Sequence, residues 1–361
     1  MANACGPTSD GRRPSRSPWV TGHVESAVGQ VPQVDTTLRF ADRLGAWKAR
    51  WAIGRMRYSV PPGLYAVGRP GRESPVLVTA NYKMTFDRVR SQLAAVDAWL
   101  LVLDTHGINV WCAAGKGTFG TDELVRRVAA TRLQQLVAHR RLILPQLAAP
   151  GVAAHEVLRR CGFRVIYGPV RAEDIPRFLE ADMQATPDMR RVRFPLRDRL
   201  AVAPVELVMA MKYILLMAIC FFLLSGLGAD GYSWQRAIAI GLPCAAVAAA
   251  VSFGSILLTP VLLPWLPGRM FAVKGFWLGV AMLGIVGVWS NVRQMPVRSW
   301  VAVASWCVLI PTLASFMAMN YTGSTPYTSL SGVRVEVRRA VPVQVIGAVI
   351  GVALWLTGRF V

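Results

Sequence analysis

The chain has 361 residues, 53% of them hydrophobic, and a formal net charge of +20. That length gives room for about two domains, and the composition excludes a protein that is soluble throughout. The charge invites a nucleic-acid reading, but no basic stripe interleaved with aromatics and no zinc-finger or RRM pattern accompanies it, so no nucleic acid is expected as partner.

Charge and hydropathy are unevenly spread. Residues 1–203 hold 30 Lys and Arg against 17 Asp and Glu, whereas long uncharged runs dominate from Pro204 onward. Arg190, Arg191, Arg193, Arg197 and Arg199 crowd the approach to the first of those runs, as juxtamembrane polybasic segments do. The six cysteines are widely separated, with no CxxC, iron–sulfur or zinc spacing. Any chemistry that needs electrons must therefore draw them from another protein.

In chain order, residues 1–35 are rich in Gly, Pro, Ser and Arg without periodicity, which predicts a disordered tail. It lacks the apolar core and cleavage site of a signal peptide. Residues 36–53 predict a basic helix with Leu38, Leu44, Trp47 and Trp51 on one face, packed on the next domain in preference to lying on a membrane surface. From about 55 to 180 short β-rich runs alternate with helical ones. Strands are expected at Pro75–Thr79, Trp99–Asp104, Leu142–Leu144 and Phe163–Tyr167, and helices at Phe86–Val96, Asp122–Val137, Ala153–Arg160 and Ala172–Ala181. Thr121 is placed to N-cap the second helix, and Gly162 to close the third. Such alternation predicts a mostly parallel, doubly wound α/β sheet, whose ligands bind beyond the carboxyl ends of the strands.

Five apolar segments follow, at about 204–228, 234–258, 271–290, 299–319 and 341–358, each with the roughly 20 residues that a bilayer core requires. Arg269 and Lys274 in one loop, and Arg334, Arg338 and Arg339 in another, put the N-terminus and those loops in the cytoplasm, although Arg293 and Arg298 run against that pattern. The expected organisation is a tail (1–35), a cytoplasmic α/β domain (36–200) and an all-α membrane domain of about five transmembrane helices (201–361). The location is the cell's inner membrane, multi-pass.

The chemistry concentrates in residues 101–123. An apolar run ends at Asp104, Gly107 allows a sharp turn, and Cys112 follows between the bulky Trp111 and the small Ala113-Ala114-Gly115. On a helix, Lys116 would share the side of Cys112. A nearby cation and a helix N-terminus both favour thiolate, the form that binds metals. Two other motifs fail here. Gly115-Lys116-Gly117-Thr118 lacks the earlier glycine of a P-loop, since position 110 is Val. Asp104-x-His106 starts a corrinoid motif of the form Asp-x-His-x-x-Gly, but the glycine position is Asn109.

Asn109-Val110-Trp111-Cys112-Ala113-Ala114-Gly115-Lys116 resembles the signature of the mercury-methylating corrinoid protein family (HgcA family). Further segments are similar to that family: Pro62–Gly68, Thr79–Lys83, Ile143–Leu147, Ala149–Val152, Tyr167–Ala172 and Asn320–Val333. The resemblance implies a Rossmann-like domain binding a cobalt corrinoid of the cobalamin type, with Cys112 as lower axial ligand and catalytic residue. The cofactor would lie against Thr79, Ala80 and Asn81, the eight residues Asn109–Lys116, Pro145 and Gln146, Gly151 and Val152, and Gly168, Pro169 and Val170. It further implies a methyltransferase that takes a methyl group from a methyltetrahydrofolate-type donor and passes it from methyl-cobalt to Hg(II), giving methylmercury. The partner so implied is a ferredoxin-like protein with two 4Fe–4S clusters. The 321–340 loop could dock on the corrinoid domain or simply connect two spans.

Two alternatives remain. One is a corrinoid methyl carrier of acetyl-CoA-pathway carbon metabolism, a family with a similar corrinoid fold but neither five spans nor a Cys ligand. The other is a transporter with a soluble regulatory domain, which the near absence of charge within the spans disfavours.

Overall fold

The computed structural model describes residues 17–292, 299–325 and 330–360. They divide into two compact units: the first runs to Arg191 without Lys48–Arg55, and the second takes that segment together with Val192 onward.

The first unit is built on seven strands, β1 (Val20–Ser26), β2 (Gly29–Val34), β3 (Gly63–Val67), β4 (Val76–Ala80), β5 (Ala98–Leu103), β6 (Arg141–Leu144) and β7 (Arg164–Tyr167), in the order β1-β2-β3-β5-β4-β6-β7. The four expected strands are β4 to β7. They form the parallel part, with Leu77 opposite Leu100 on one side and Ile143 on the other, and Leu144 opposite Tyr167. Their residues are buried on both faces: Val76, Val78, Ala80, Trp99, Leu101 and Leu103 enter one core, and Leu77, Ala98, Leu100 and Val102 the other. Burial on both sides is why these strands read as continuous apolar runs.

The rest of the sheet departs from the expectation. β3 runs antiparallel to β5, and β1 and β2 form a hairpin where a disordered tail was expected. The hairpin is an edge whose strands carry His23, Glu25, Gln30 and Gln33, so its composition hides it, and Trp19, Val31 and Val34 supply its buried side. Residues 1–16 of that tail lie outside the described residues.

Helices α1 (Phe40–Arg50), α2 (Lys83–Arg90), α3 (Val110–Lys116), α4 (Thr121–Ala130), α5 (Leu133–Leu136), α6 (Ala154–Cys161) and α7 (Ile175–Glu180) flank this sheet or its edges. The helix expected over 122–137 is broken at Arg132, whose φ is +48°, and resumes as α5. Gly120 rather than Thr121 occupies the N-cap of α4, and the Thr121 hydroxyl instead accepts the Ala153 amide at 2.9 Å. Gly162 closes α6 as expected, at φ +73°.

The apolar face of α1 is turned outward, contrary to the packing expected for it: Phe40, Leu44 and Trp47 are exposed. Its polar face is drawn inward by an ion network that sequence reading missed. Lys83 Nζ lies 2.7 Å from Asp42 and 2.6 Å from Asp87, and the fully buried Arg90 pairs with both carboxylates at 2.8 Å. Arg90 also donates to the Asp35 and Thr37 carbonyls, fixing the chain that leaves β2. Burial pushes the Asp42 carboxyl up, but Lys83, the Arg39 amide and Arg90 outweigh it and hold it below the usual range.

The second unit contains α8 (Leu196–Leu200), α9 (Ala203–Leu224), α10 (Trp234–Arg236) leading through a π turn into α11 (Leu242–Leu262), α12 (Phe271–Val292), α13 (Trp300–Met319) and α14 (Leu330–Thr357). Five helical stretches, Leu196–Leu224, Trp234–Leu262, Phe271–Ser290, Trp300–Gly323 and Ser331–Thr357, are long and apolar enough to cross a bilayer. The last begins well before the expected 341 because the helix continues through charged residues. Among these, the buried Glu336 accepts the Ala272 amide at 2.7 Å, one of the orphan donors at the start of α12. Arg199 donates to the Pro260 and Val261 carbonyls, and Lys274 to those of Leu263 and Leu266, so two cations finish the carboxyl end of α11. Gly275 and Gly279 let α12 and α13 touch: a Cβ on Gly275 would fall 2.5 Å from the Ala314 carbonyl, and one on Gly279 2.6 Å from Pro311 Cα.

The family-like loop after α13 is partly built into this unit. Tyr321 is buried and donates its hydroxyl to the Ile256 carbonyl at 2.7 Å, and the Ser324 hydroxyl donates to the Glu206 carboxylate. Residues 326–329 of that loop lie outside the described residues, as do Arg293 and Arg298.

Candidate functional site

Because β4, β5, β6 and β7 are parallel, the segments leaving them share one edge of the sheet. These are Asn81, the 104–109 loop leading to α3, Pro145-Gln146, and Gly168–Val170. The sequence places its candidate residues on this edge, and the structure brings those four loops there.

Cys112 stands in the first turn of α3. Asn109 caps that helix, its Oδ1 accepting the Cys112 amide at 2.9 Å, and Gly117 ends it in the left-handed region at φ +82°. Val110, Ala113 and Ala114 are buried against the sheet, which leaves Trp111, Cys112, Gly115 and Lys116 on the outward side. Cys112 and Lys116, four residues apart, thus share a face, as the spacing predicts. The Cys112 side chain is half-buried.

The loop that delivers α3 is bolted from the neighbouring strand. Asn81, buried at the end of β4, accepts from the Thr105 amide (3.1 Å), the Thr105 hydroxyl (2.8 Å) and the Gly107 amide (3.0 Å). Its own amide donates to Asp104 Oδ1 at 3.2 Å. Thr105, which sequence reading passed over, also donates to the Ile108 carbonyl at 2.7 Å. A second clamp comes from Glu123 on α4, whose Oε1 accepts the Asp104 amide at 2.8 Å. Burial raises the Glu123 pKa, but the Asp104 amide, Arg127 and Arg126 more than offset it and keep the carboxyl below the usual range. The Glu123 clamp spans nineteen residues and has no local signal in the sequence. His106 takes φ +56° in this loop and its side chain is largely exposed, beside Asp104.

Several other candidates support α3 from behind. Ala80 and Val152 are in the core. Gly151 packs against α3 so closely that a Cβ there would lie 2.3 Å from the Phe119 carbonyl and 2.9 Å from Ala114 Cα. The Tyr167 hydroxyl donates to the Val152 carbonyl at 2.7 Å, and the Gly168 amide to that of Leu144 at 2.8 Å, tying the last two loops together. Gly168 and Pro169 are buried, whereas Pro145, Gln146 and Val170 are half-exposed on the edge. Thr79 is 1% exposed and its hydroxyl finds no partner, an orphan polar atom next to the strand end.

This arrangement fits a macrocycle-borne metal better than a bare ion. Among the described residues no three His, Cys, Asp or Glu side chains converge to hold a metal ion. A corrin supplies its equatorial nitrogens itself and asks the protein for one axial donor and a rigid, small-residue edge; Cys112 and the loops around it offer both.

Comparison with known proteins covers this same part of the chain. Residues 53–179 match the family described as CO dehydrogenase/acetyl-CoA synthase delta subunit. The match takes in β3 to β7 and the Cys112 loop and stops before the five apolar helices. Among curated proteins, the acetyl-CoA decarbonylase/synthase complex subunit gamma of Methanopyrus kandleri is 36% identical over 125 residues, 34% of this chain and 27% of that protein. The subunit of the same name from Archaeoglobus fulgidus is 34% identical over 128 residues, 35% and 27% of the two chains. That of Methanocaldococcus jannaschii is 37% identical over 97 residues, 26% and 20%. The chain thus spans about a quarter of the length of the first two relatives. These relatives support a corrinoid protein and do not single out the mercury-methylating family.

Proposed function

We propose that the chain is a membrane-anchored corrinoid methyl-transfer protein whose methyl acceptor is Hg(II). The observation that carries the reading is Cys112, half-exposed on a short capped helix at the carboxyl edge of the parallel sheet, in a segment that resembles the mercury-methylating signature. The relatives' membership of an acetyl-CoA decarbonylase/synthase complex supports methyl carriage on a corrinoid in general. The five apolar helices support attachment to the membrane.

When bound, the corrinoid supplies a cobalt centre that carries a methyl group and gives it up to an acceptor. The protein's part would be to offer that centre one sulfur. Cys112, as thiolate, is a soft and strongly donating ligand. Lys116 follows on the same face of α3. Asn109 sets the helix start, Asn81 and Glu123 lock the preceding loop, and Gly151 lets the 149–152 segment brace α3. Trp111, Pro145, Gln146 and Val170 would flank the macrocycle, and a ferredoxin-like partner would supply electrons.

A second reading, methyl carriage in acetyl-CoA-type carbon metabolism, is the one that the curated relatives favour. Two measurements decide. Purified protein is expected to take up a cobalt corrinoid whose absorption spectrum changes in Cys112→Ala and not in His106→Ala. Cells with the intact gene should convert Hg(II) to methylmercury and lose this with Cys112→Ala. Uptake with no mercury methylation would favour the second reading; no uptake would refute both.

A further inference from the structure

We infer that the apolar face of α1 lies on the surface of an anionic bilayer. This rests on the reading that α9 to α14 span a membrane. Helices at a domain surface normally bury their apolar stripe and show their polar face to water; α1 does the opposite. At about 100° per residue, Phe40, Leu44 and Trp47 fall in one stripe, and they are 78%, 37% and 54% exposed. The opposite side carries Asp42, Gly45 and Ala49. Asp42 is ion-paired to Lys83 and Arg90, Gly45 lies against the Tyr58 ring with no room for a Cβ, and Ala49 is fully buried. The helix is therefore fixed by its polar side, and no rotation that hides Phe40 keeps those contacts.

The flanks of the stripe identify what covers it. Arg43 and Arg50 fall on one side and Lys48 on the other, and Ile53, Met56 and Arg57 continue the same mixture just beyond the helix. An apolar ridge with an aromatic side chain, bordered on both sides by long cationic ones, matches the headgroup–acyl boundary of a membrane. There the ridge enters the apolar layer and the cations reach lipid phosphates. A soluble protein partner would call for carboxylates opposite those cations.

The test uses the full chain in nanodiscs of mixed anionic and zwitterionic lipid, in a background without its other cysteines. Spin labels are placed singly at Phe40→Cys and Leu44→Cys, at Ala27→Cys in the β1–β2 turn as an aqueous reference, and at Leu215→Cys on α9 as a lipid reference. Collision with oxygen is compared with collision with a water-soluble nickel complex. The oxygen-to-nickel ratio at positions 40 and 44 is expected to exceed that at 27 severalfold and to approach that at 215. It should fall toward the value at 27 when Arg43→Glu and Lys48→Glu are combined. A lipid signature at 215 with water-like values at 40 and 44 overturns the inference and leaves the spans standing. Shielding of 40 and 44 from both probes also overturns it, because a protein surface would then be the cover. A water-like value at 215 removes the spans, and this inference with them. No effect of the double charge reversal overturns the role given to anionic lipid.

Discussion

Asn81→Ala tests how the candidate cysteine is held. The substitution leaves β4 and its backbone ladder intact but strips the acceptor from the Thr105 and Gly107 amides and the donor from Asp104. Thr105 is fully buried and Gly107 is buried, so water does not replace the lost oxygen. Two stranded amides at roughly 1–3 kcal/mol each put the cost at about 2–6 kcal/mol, a roughly 30- to 25,000-fold rise in local opening. Hydrogen exchange on the full chain should show it as faster exchange over residues 104–116, with β5 itself unchanged. The corrinoid-bound form should lose the spectral signature that depends on Cys112 before it loses binding altogether. Unchanged exchange over 104–116, or an equal loss across the whole sheet, would refute the idea that Asn81 acts on the loop rather than on the fold.

Gly151→Ala drives a methyl into the Phe119 carbonyl and Ala114 and should destabilise the protein by about 1–3 kcal/mol, read as a lower melting temperature in nanodiscs with weakened corrinoid uptake. Asp42 and Glu123 titrate below their ordinary values of 3.8 and 4.5 when folded. Their stabilisation is therefore complete above those values and disappears as pH falls through the lowered ones. Exchange rates in α1, α2 and the 104–109 loop should rise on acidification below about pH 4.5, and Asp42→Asn should remove the α1 and α2 part of that dependence. Burial pushes the Cys161 thiol up, and its Sγ donates to the Val157 carbonyl. At neutral pH an alkylating reagent should modify Cys112 well before Cys161, and added corrinoid should protect only Cys112.

The parallel half of the sheet was legible because β4 to β7 are buried on both faces and leave unbroken apolar runs between turns. The hairpin was not, since an edge strand such as Gly29–Val34 buries only Val31 and Val34 and reads as loop. The loops of the site followed from the resemblance, and the parallel strand ends bring four of the five to one edge. Their division of labour did not: Asn81 stood out as a candidate for touching the cofactor, yet its side chain is spent on Thr105, Gly107 and Asp104. Glu123 is a clamp across nineteen residues, a relation that only the fold creates. For α1 the sequence put Leu44 and Trp47 on one face, but Leu38 and Trp51 fall outside the helix and the face turns outward, because partners as distant as Lys83 and Arg90 decide which face turns inward.

The glycine contacts between α12 and α13 bear on how the protein is made. With Gly275 and Gly279 pressed against the backbone of the next helix, neither helix presents a complete surface to lipid until its neighbour has arrived. If α12 and α13 span a bilayer as proposed, they are expected to insert together as a hairpin. A side chain at either glycine would then act during biogenesis, lowering the yield of inserted protein rather than the activity of the molecules that mature.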